Sequence, residues 1–303
     1  MKLSVNEERK LKHPVRRCTA GEKRRPHAAT SVDRAAAAAR TSTFSEALGT
    51  ALLAAILVVS AVFFQPAQAA PVDVDLTISA AISLQNALQE VVTLYHTGHP
   101  DVQVHLNLGA SGTLQRQIEQ GAPVDLFLSA AESEMDGLES KGLIAGDTRK
   151  NLLTNSVVLI VPKGRADIRH FQDLTQASVK IIAIGNPESV PAGKYAEQVL
   201  THFGLYDTLR PKLVFAKDVR AVLTYVETGN ADAGIVYETD ALTSGQVAVI
   251  ATAPPGSHAP VVYPVAVIAA SRNVAAAKEF ESFLFGPESA AVFRKYGFRP
   301  AAR

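Results

Sequence analysis

Two serines stand where an apolar, strand-like run gives way to a helical pattern: Ser83 in Ala80-Ala81-Ile82-Ser83-Leu84, and Ser111 in Gly109-Ala110-Ser111-Gly112-Thr113-Leu114. A serine at a helix N-cap sets its hydroxyl beside backbone N–H groups that have no partner inside the helix. The helix dipole adds about half a positive charge at the same place. One such serine is an ordinary cap, whereas two in one domain suggest an oxyanion held without lysine or arginine. Two further helix starts extend the set. In Val190-Pro191-Ala192-Gly193 the proline pre-sets the first turn, leaves the Ala192 N–H unpaired, and Gly193 permits close approach. In Lys217-Asp218-Val219-Arg220, Asp218 caps a helix whose first N–H groups include that of Val219. Finally, Gly234-Ile235-Val236-Tyr237 places a tyrosine hydroxyl at the end of a buried strand, in reach of a cleft. Taken singly, these are a turn, a cap and a core-edge aromatic.

Such groups must be positioned by a repeating framework, and from Asp75 onward short apolar runs alternate with helical patterns, the signature of an α/β protein with a largely parallel sheet. Strands are expected at 76–80, 102–108, 125–129, 156–161, 180–184, 212–215, 233–236 and 263–268. Apolar residues at three-and-four spacing predict helices over 84–95, 113–120, 192–203 and 219–227, and two terminal helices over 274–285 and 289–296. In open sheets of this kind ligands bind outside the carboxyl ends of strands, where both serines fall. The β-rich run 155–162 is long enough to pass from one lobe to another, and the Pro- and Gly-rich loop 253–260 precedes a strand that returns. The expected division is a lobe at 71–155 plus 255–303 and a second lobe at 156–254.

The ends and the charge narrow the setting. Residues 47–64 are uncharged and apolar and are followed by Gln65-Pro66-Ala67-Gln68-Ala69-Ala70, which reads as a signal peptide cleaved near Ala69 or Ala70. Residues 1–46 hold eleven Lys/Arg against five Asp/Glu, so the +1 chain divides into a basic leader (1–70) and a mature part of charge −5. An acidic mature chain argues against nucleic acid as partner. The single cysteine, Cys18, lies in the leader, which leaves the mature part without a disulfide and points to a bacterial periplasm.

The segments 80–84, 110–114, Gln117-Ile118-Glu119-Gln120-Gly121-Ala122-Pro123-Val124-Asp125-Leu126-Phe127, 190–193, 218–220, 234–237 and Lys295-Tyr296-Gly297-Phe298 occur in an order that closely resembles the periplasmic molybdate-binding proteins of bacterial molybdate ABC transporters. The resemblance runs over nearly the whole mature chain. It implies a type II periplasmic-binding-protein fold: two α/β lobes, each a mainly parallel sheet flanked by helices, with the ligand in the cleft between them. It also implies a ligand shell of Ser83, Ser111, Ala192, Val219 and Tyr237, giving seven donors, two from each serine and one from each of the others. Molybdate or tungstate is then the ligand, with no cofactor and no direct protein–metal bond, and the partner is a membrane permease served by a monomeric receptor. One departure is Gly112, which stands where many relatives continue a serine run.

The chemistry agrees with a dianion ligand. A dehydrated dianion needs many hydrogen bonds, and neutral donors backed by helix dipoles supply them at less desolvation cost than ammonium groups. A donor-only site also disfavours hydrogen phosphate, whose proton needs an acceptor. Sulfate and thiosulfate stay open as alternatives, because sulfate shares molybdate's charge and shape. A carboxylate ligand would ordinarily want an arginine fork; the nearest candidates, Arg116 and Arg220, are expected to face solvent or lobe–lobe salt bridges. Catalysis would need a base beside Ser83 or Ser111, and none of the six histidines after the leader sits in a triad context.

Overall fold

The computed structural model describes residues 74–302; the leader, the apolar segment and the cleavage positions lie outside the described residues. β1 (Val74–Ala81) runs through a 3-10 turn (Ile82–Leu84) into α1 (Gln85–Gly98), whose Ala87, Leu88, Val91 and Tyr95 form one buried face. β2 (Val102–Gly109), α2 (Ser111–Glu119), β3 (Leu126–Leu128), α3 (Glu132–Ser140) and β4 (Lys150–Thr154) follow. Beyond Asn155 and Ser156 come β5 (Val157–Pro162), β6 (Ile182–Gly185), α4 (Pro191–His202), α5 (Tyr206–Leu209) and β7 (Leu213–Ala216). The same series continues with α6 (Val219–Glu227), β8 (Ala233–Tyr237), α7 (Glu238–Ala241) and β9 (Val247–Thr252). β10 (Val262–Val267), α8 (Val274–Leu284), α9 (Pro287–Lys295) and β11 (Arg299–Pro300) complete the chain.

The strands form two sheets, ordered β11-β4-β10-β3-β1-β2 and β7-β6-β8-β5-β9. The chain therefore leaves the first sheet at Asn155–Ser156 and comes back over residues 253–261. Each sheet has a parallel core, β2-β1-β3 in one and β7-β6-β8 in the other, while the strands beside the crossings pair antiparallel. The mixture has a simple cause: one crossing strand goes out and its neighbour comes back, so β4 must oppose β10 and β5 must oppose β9. The two crossings are tied together by Asn155 N–H to the Val261 carbonyl at 3.2 Å and Ala253 N–H to the Val157 carbonyl at 2.8 Å.

The parallel strands deliver their carboxyl ends, and the starts of the turns and helices that follow, to the space between the lobes. Leu114 and Ile118 anchor α2 in a cluster with Val124, Phe127, Met135 and Leu138, each burial of this kind contributing roughly 1.5–3 kcal/mol. On the other side α4 packs so tightly on β6 that a Cβ on Gly193 would overlap the Gly185 carbonyl. The close approach expected of Gly193 is thus a contact between its helix and the preceding strand.

The elements depart from the sequence expectation in physically informative places. β4, β9 and α3 have no counterpart among the expected elements. β9 is an edge strand with a half-exposed pattern, and α3 is rich in Ser and Glu with only Glu134, Met135 and Leu138 buried, so neither shows clear periodicity. The run 155–162 is not one strand, since Asn155 and Ser156 break it before β5. The last helix begins at Pro287, because a proline in the first turn starts a helix rather than delaying it.

Candidate oxyanion site

Ser83, Ser111, Ala192, Val219 and Tyr237 line one small cavity of about 10 Å³, together with Ala81, Ile82, Gly109, Ala110, Ala130, Val190 and Pro191. All five are at most 3% exposed. Two come from the first lobe and three from the second, and no charged side chain is in the lining. Four helix or turn starts therefore converge with the strand end that carries Tyr237.

The serines reach this position differently from the N-cap geometry expected of them. Ser83 lies inside the 3-10 turn, and Ser111 is the first residue of α2 with Ala110 as its cap; neither turn has a side-chain cap bond. Their hydroxyls are therefore not spent on their own helices. Ser111 Oγ accepts from the Ala130 N–H at 3.0 Å, which leaves its proton to be donated elsewhere. Asp218, by contrast, is a true cap, accepting from the Ala221 N–H at 2.8 Å and aligning α6 so that the first-turn N–H of Val219 opens on the cavity. In α4 the first position is Pro191, so the next N–H, that of Ala192, is the first one on offer.

Ser83 is oriented by residues that sequence reasoning missed. Asn155 Oδ1 accepts from the Ser156 N–H at 2.9 Å, which fixes the side-chain amide so that Nδ2 donates to Thr239 Oγ1 at 2.9 Å and to the Tyr263 hydroxyl at 3.2 Å. The same Tyr263 hydroxyl is hydrogen-bonded to Ser83 Oγ at 3.0 Å, which holds the serine hydroxyl in place at the cavity. Burial pushes the Tyr263 hydroxyl far above the ordinary phenol range, so it stays a donor. Asn155 lies on the outgoing crossing and Tyr263 in β10 just after the returning one, 108 residues apart in sequence, and no local pattern links them.

Tyr237 is likewise held protonated: burial first, then the neighbouring Tyr263, raise its pKa well above the usual value. Its hydroxyl donates to the Ala130 carbonyl at 3.4 Å, a long contact from which the proton is easily redirected. The ring packs at 5.9 Å from Tyr263 and 6.3 Å from Tyr195, and Tyr263 meets Phe298 edge-on at 5.5 Å. The chain's closing Tyr296-Gly297-Phe298 thus buttresses the site through Phe298.

The arginines do not enter the cavity. Arg116 turns back to Thr113 Oγ1 at 3.3 Å on the exposed face of α2. Arg220 lies with Nε 2.7 Å from the buried Asp240 carboxylate, donates to Thr243 Oγ1, and reaches over to Asn86 Oδ1 of the first lobe at 3.0 Å. The lobe–lobe salt bridge expected of it does not form: its ion pair is internal to the second lobe, and a hydrogen bond to a neutral side chain is what reaches the first. That pair is close but poorly aimed, for neither Asp240 oxygen completes an aligned hydrogen bond. Burial therefore outweighs the Arg220 charge and raises the Asp240 pKa to about 6. Among the described residues no three His, Cys, Asp or Glu side chains gather as a metal site.

Two α/β lobes closed over a small cavity of neutral donors define a receptor for a small anionic solute. Residues 76–299 match the family of bacterial extracellular solute-binding proteins, and the chain belongs to that family. It is 46% identical over 226 residues to the putative ABC transporter substrate-binding lipoprotein YvgL of Bacillus subtilis, covering 74% of this chain and 86% of that one. It is 43% identical over 228 residues to the molybdate-binding protein ModA of Escherichia coli, covering 74% and 88%. Among solved structures it is similar to the substrate-binding domain of a putative molybdenum ABC transporter from Clostridium difficile, at 45% identity with a TM-score of 0.61, covering 76% of this chain and all of that one. The protein is thus a binding protein rather than an enzyme.

Two outcomes follow from the groups behind the cavity. Tyr263→Phe cuts the relay from Asn155 and leaves Ser83 free to turn away, so anion affinity is expected to fall by roughly 1–2 kcal/mol while every donor to the anion is retained, as calorimetry would show. Because the folded Asp240 binds its proton more tightly than the unfolded carboxyl, its contribution to stability falls as pH rises from 3.8 to about 6. Asp240→Asn removes that loss, so between pH 4 and 7 the urea stability of the variant should gain on the wild type by on the order of 2–3 kcal/mol.

Proposed function

We propose that this protein captures molybdate or tungstate through Ser83, Ser111, Ala192, Val219 and Tyr237 and delivers the anion to the permease of an ABC transporter. The observation that carries this reading is the cavity lining, in which donors from both lobes converge without any charged side chain. A tetrahedral dianion is the solute such a lining suits. Each charge-assisted bond from a neutral donor contributes roughly 1.5–3 kcal/mol, and the helix starts add about 0.3–2 kcal/mol apiece. Serine hydroxyls whose acceptor side is already taken, as Ser111 Oγ is by Ala130, present their protons to the anion.

Closure follows from the same arrangement. Ser83 and Ser111 belong to the first lobe and the other three donors to the second, so an anion bonded to both sets stabilises the state in which they face each other. The receptor works as a monomer, and its rim in the closed state is what the permease reads. It is exported to the periplasm by the apolar segment 47–64, with cleavage near Ala69 or Ala70.

The deciding measurement is calorimetric titration of the chain from residue 71, stripped of ligand, with molybdate, tungstate, sulfate and phosphate. Tight binding of the first two and little response to the others is expected. A preference for sulfate would keep the site and change the solute, and silence with all four would overturn the reading. In the same assay Ser111→Ala should weaken molybdate binding by roughly 1–3 kcal/mol, and unchanged affinity would remove Ser111 from the shell. Mass spectrometry of the exported protein should find its N-terminus at Ala70 or Pro71.

A further inference from the structure

We propose that Gly112, which offers nothing to the anion, is the positioning residue that sets how far the two lobes close. The Gly112 N–H donates across the cleft to the Ser189 carbonyl at 3.0 Å. Gly112 is one residue beyond Ser111, and Ser189 is three residues before Ala192, so this contact fixes the spacing between a donor group of each lobe. It is also a steric stop. A Cβ at position 112 would stand 2.8 Å from the Ser189 carbonyl oxygen and 3.0 Å from its Cα, closer than real Cβ atoms approach backbone.

Neither side can yield cheaply. The Ser189 turn is folded on Asn186, whose carbonyl accepts from the Ser189 N–H at 3.1 Å and the Val190 N–H at 2.8 Å, while Asn186 N–H is tied to the Ala216 carbonyl. Behind it, the start of α4 is wedged against β6 by the Gly185–Gly193 contact. Opposite, the start of α2 is held by Ser111 Oγ to Ala130 and by the packing of Leu114 and Ile118. A side chain at 112 is therefore accommodated by parting the lobes, which lengthens every anion bond made from the far side.

The inference rests on the oxyanion reading of the cavity, and the experiment separates the two. Molybdate association and dissociation rates are measured by stopped flow for the wild type and Gly112→Ala, with the melting temperature of each ligand-free protein. The expected result is dissociation faster by about tenfold or more, association changed by less than about threefold, and a ligand-free melting temperature that does not fall, since the contact exists only between closed lobes and alanine is the better helix former. Equal dissociation rates in the two proteins would overturn the role of Gly112. A wild type that binds no oxyanion would overturn the reading beneath it. If Gly112→Ala does not fold, hydrogen exchange on the wild type decides: the Gly112 amide, in the first turn of α2, has no partner within its helix. Its protection should appear on adding molybdate, and an exchange rate indifferent to molybdate would refute the proposal.

Discussion

Everything in this molecule depends on backbone N–H groups that secondary structure leaves unpaired. The first turn of a helix cannot satisfy its own donors, and buried donors without partners are costly. Here several such turns are buried at one place, around the cavity between the lobes, with serine and tyrosine hydroxyls added to them. A fully deprotonated oxyanion satisfies many donors while demanding none in return. The absence of charge from the lining is consistent with this demand. An ammonium or guanidinium there would have to lose its hydration on closure, whereas peptide dipoles are already desolvated and held in place by the fold.

The second requirement is that donors be aimed, and the two chain crossings meet it. Asn155 on the outgoing crossing and Tyr263 just after the returning one form a hydrogen-bonded chain that ends on Ser83. The segments that join the lobes thus lie beside the residues that orient a donor, so the crossings and the site are one hydrogen-bonded unit. Thr239 and Glu238, immediately after Tyr237, are bonded to Asn155 and Ser156, which extends that unit to the end of β8. The edge-on and tilted aromatic cluster of Tyr195, Tyr237, Tyr263 and Phe298 fills the space behind it.

How much of this was legible in the sequence follows from the range of each interaction. The five lining residues stand at strand-to-helix junctions, and a junction is a local pattern: an apolar run, a small or capping residue, then three-and-four spacing. The alternation of strands and helices was legible for the same reason, and so was the cap at Asp218, which acts within three residues. The precise part of each serine was not. Sequence suggests a cap, whereas the hydroxyls of Ser83 and Ser111 find partners 180 and 19 residues away, at Tyr263 and Ala130. Edge strand β9 and the acidic helix α3 were missed because half-exposed elements carry little periodicity, and packing rather than pattern holds them.

Gly112 shows the limit most clearly. In sequence it is a glycine near the start of a helix, where it costs helix stability relative to alanine by about 1 kcal/mol and loses a hydroxyl that serine would supply. Its value is visible only across the cleft, where the Ser189 carbonyl occupies the space a Cβ would need. A receptor of this kind must be loose enough to open and must close to a spacing that suits one anion. A side chain at the meeting point would make the closed spacing depend on a rotamer; backbone against backbone makes it depend on two helix starts that the core already fixes. The local weakness of glycine within α2 is thus the cost of a hard stop between the lobes, and that cost falls on a helix anchored independently by Leu114 and Ile118.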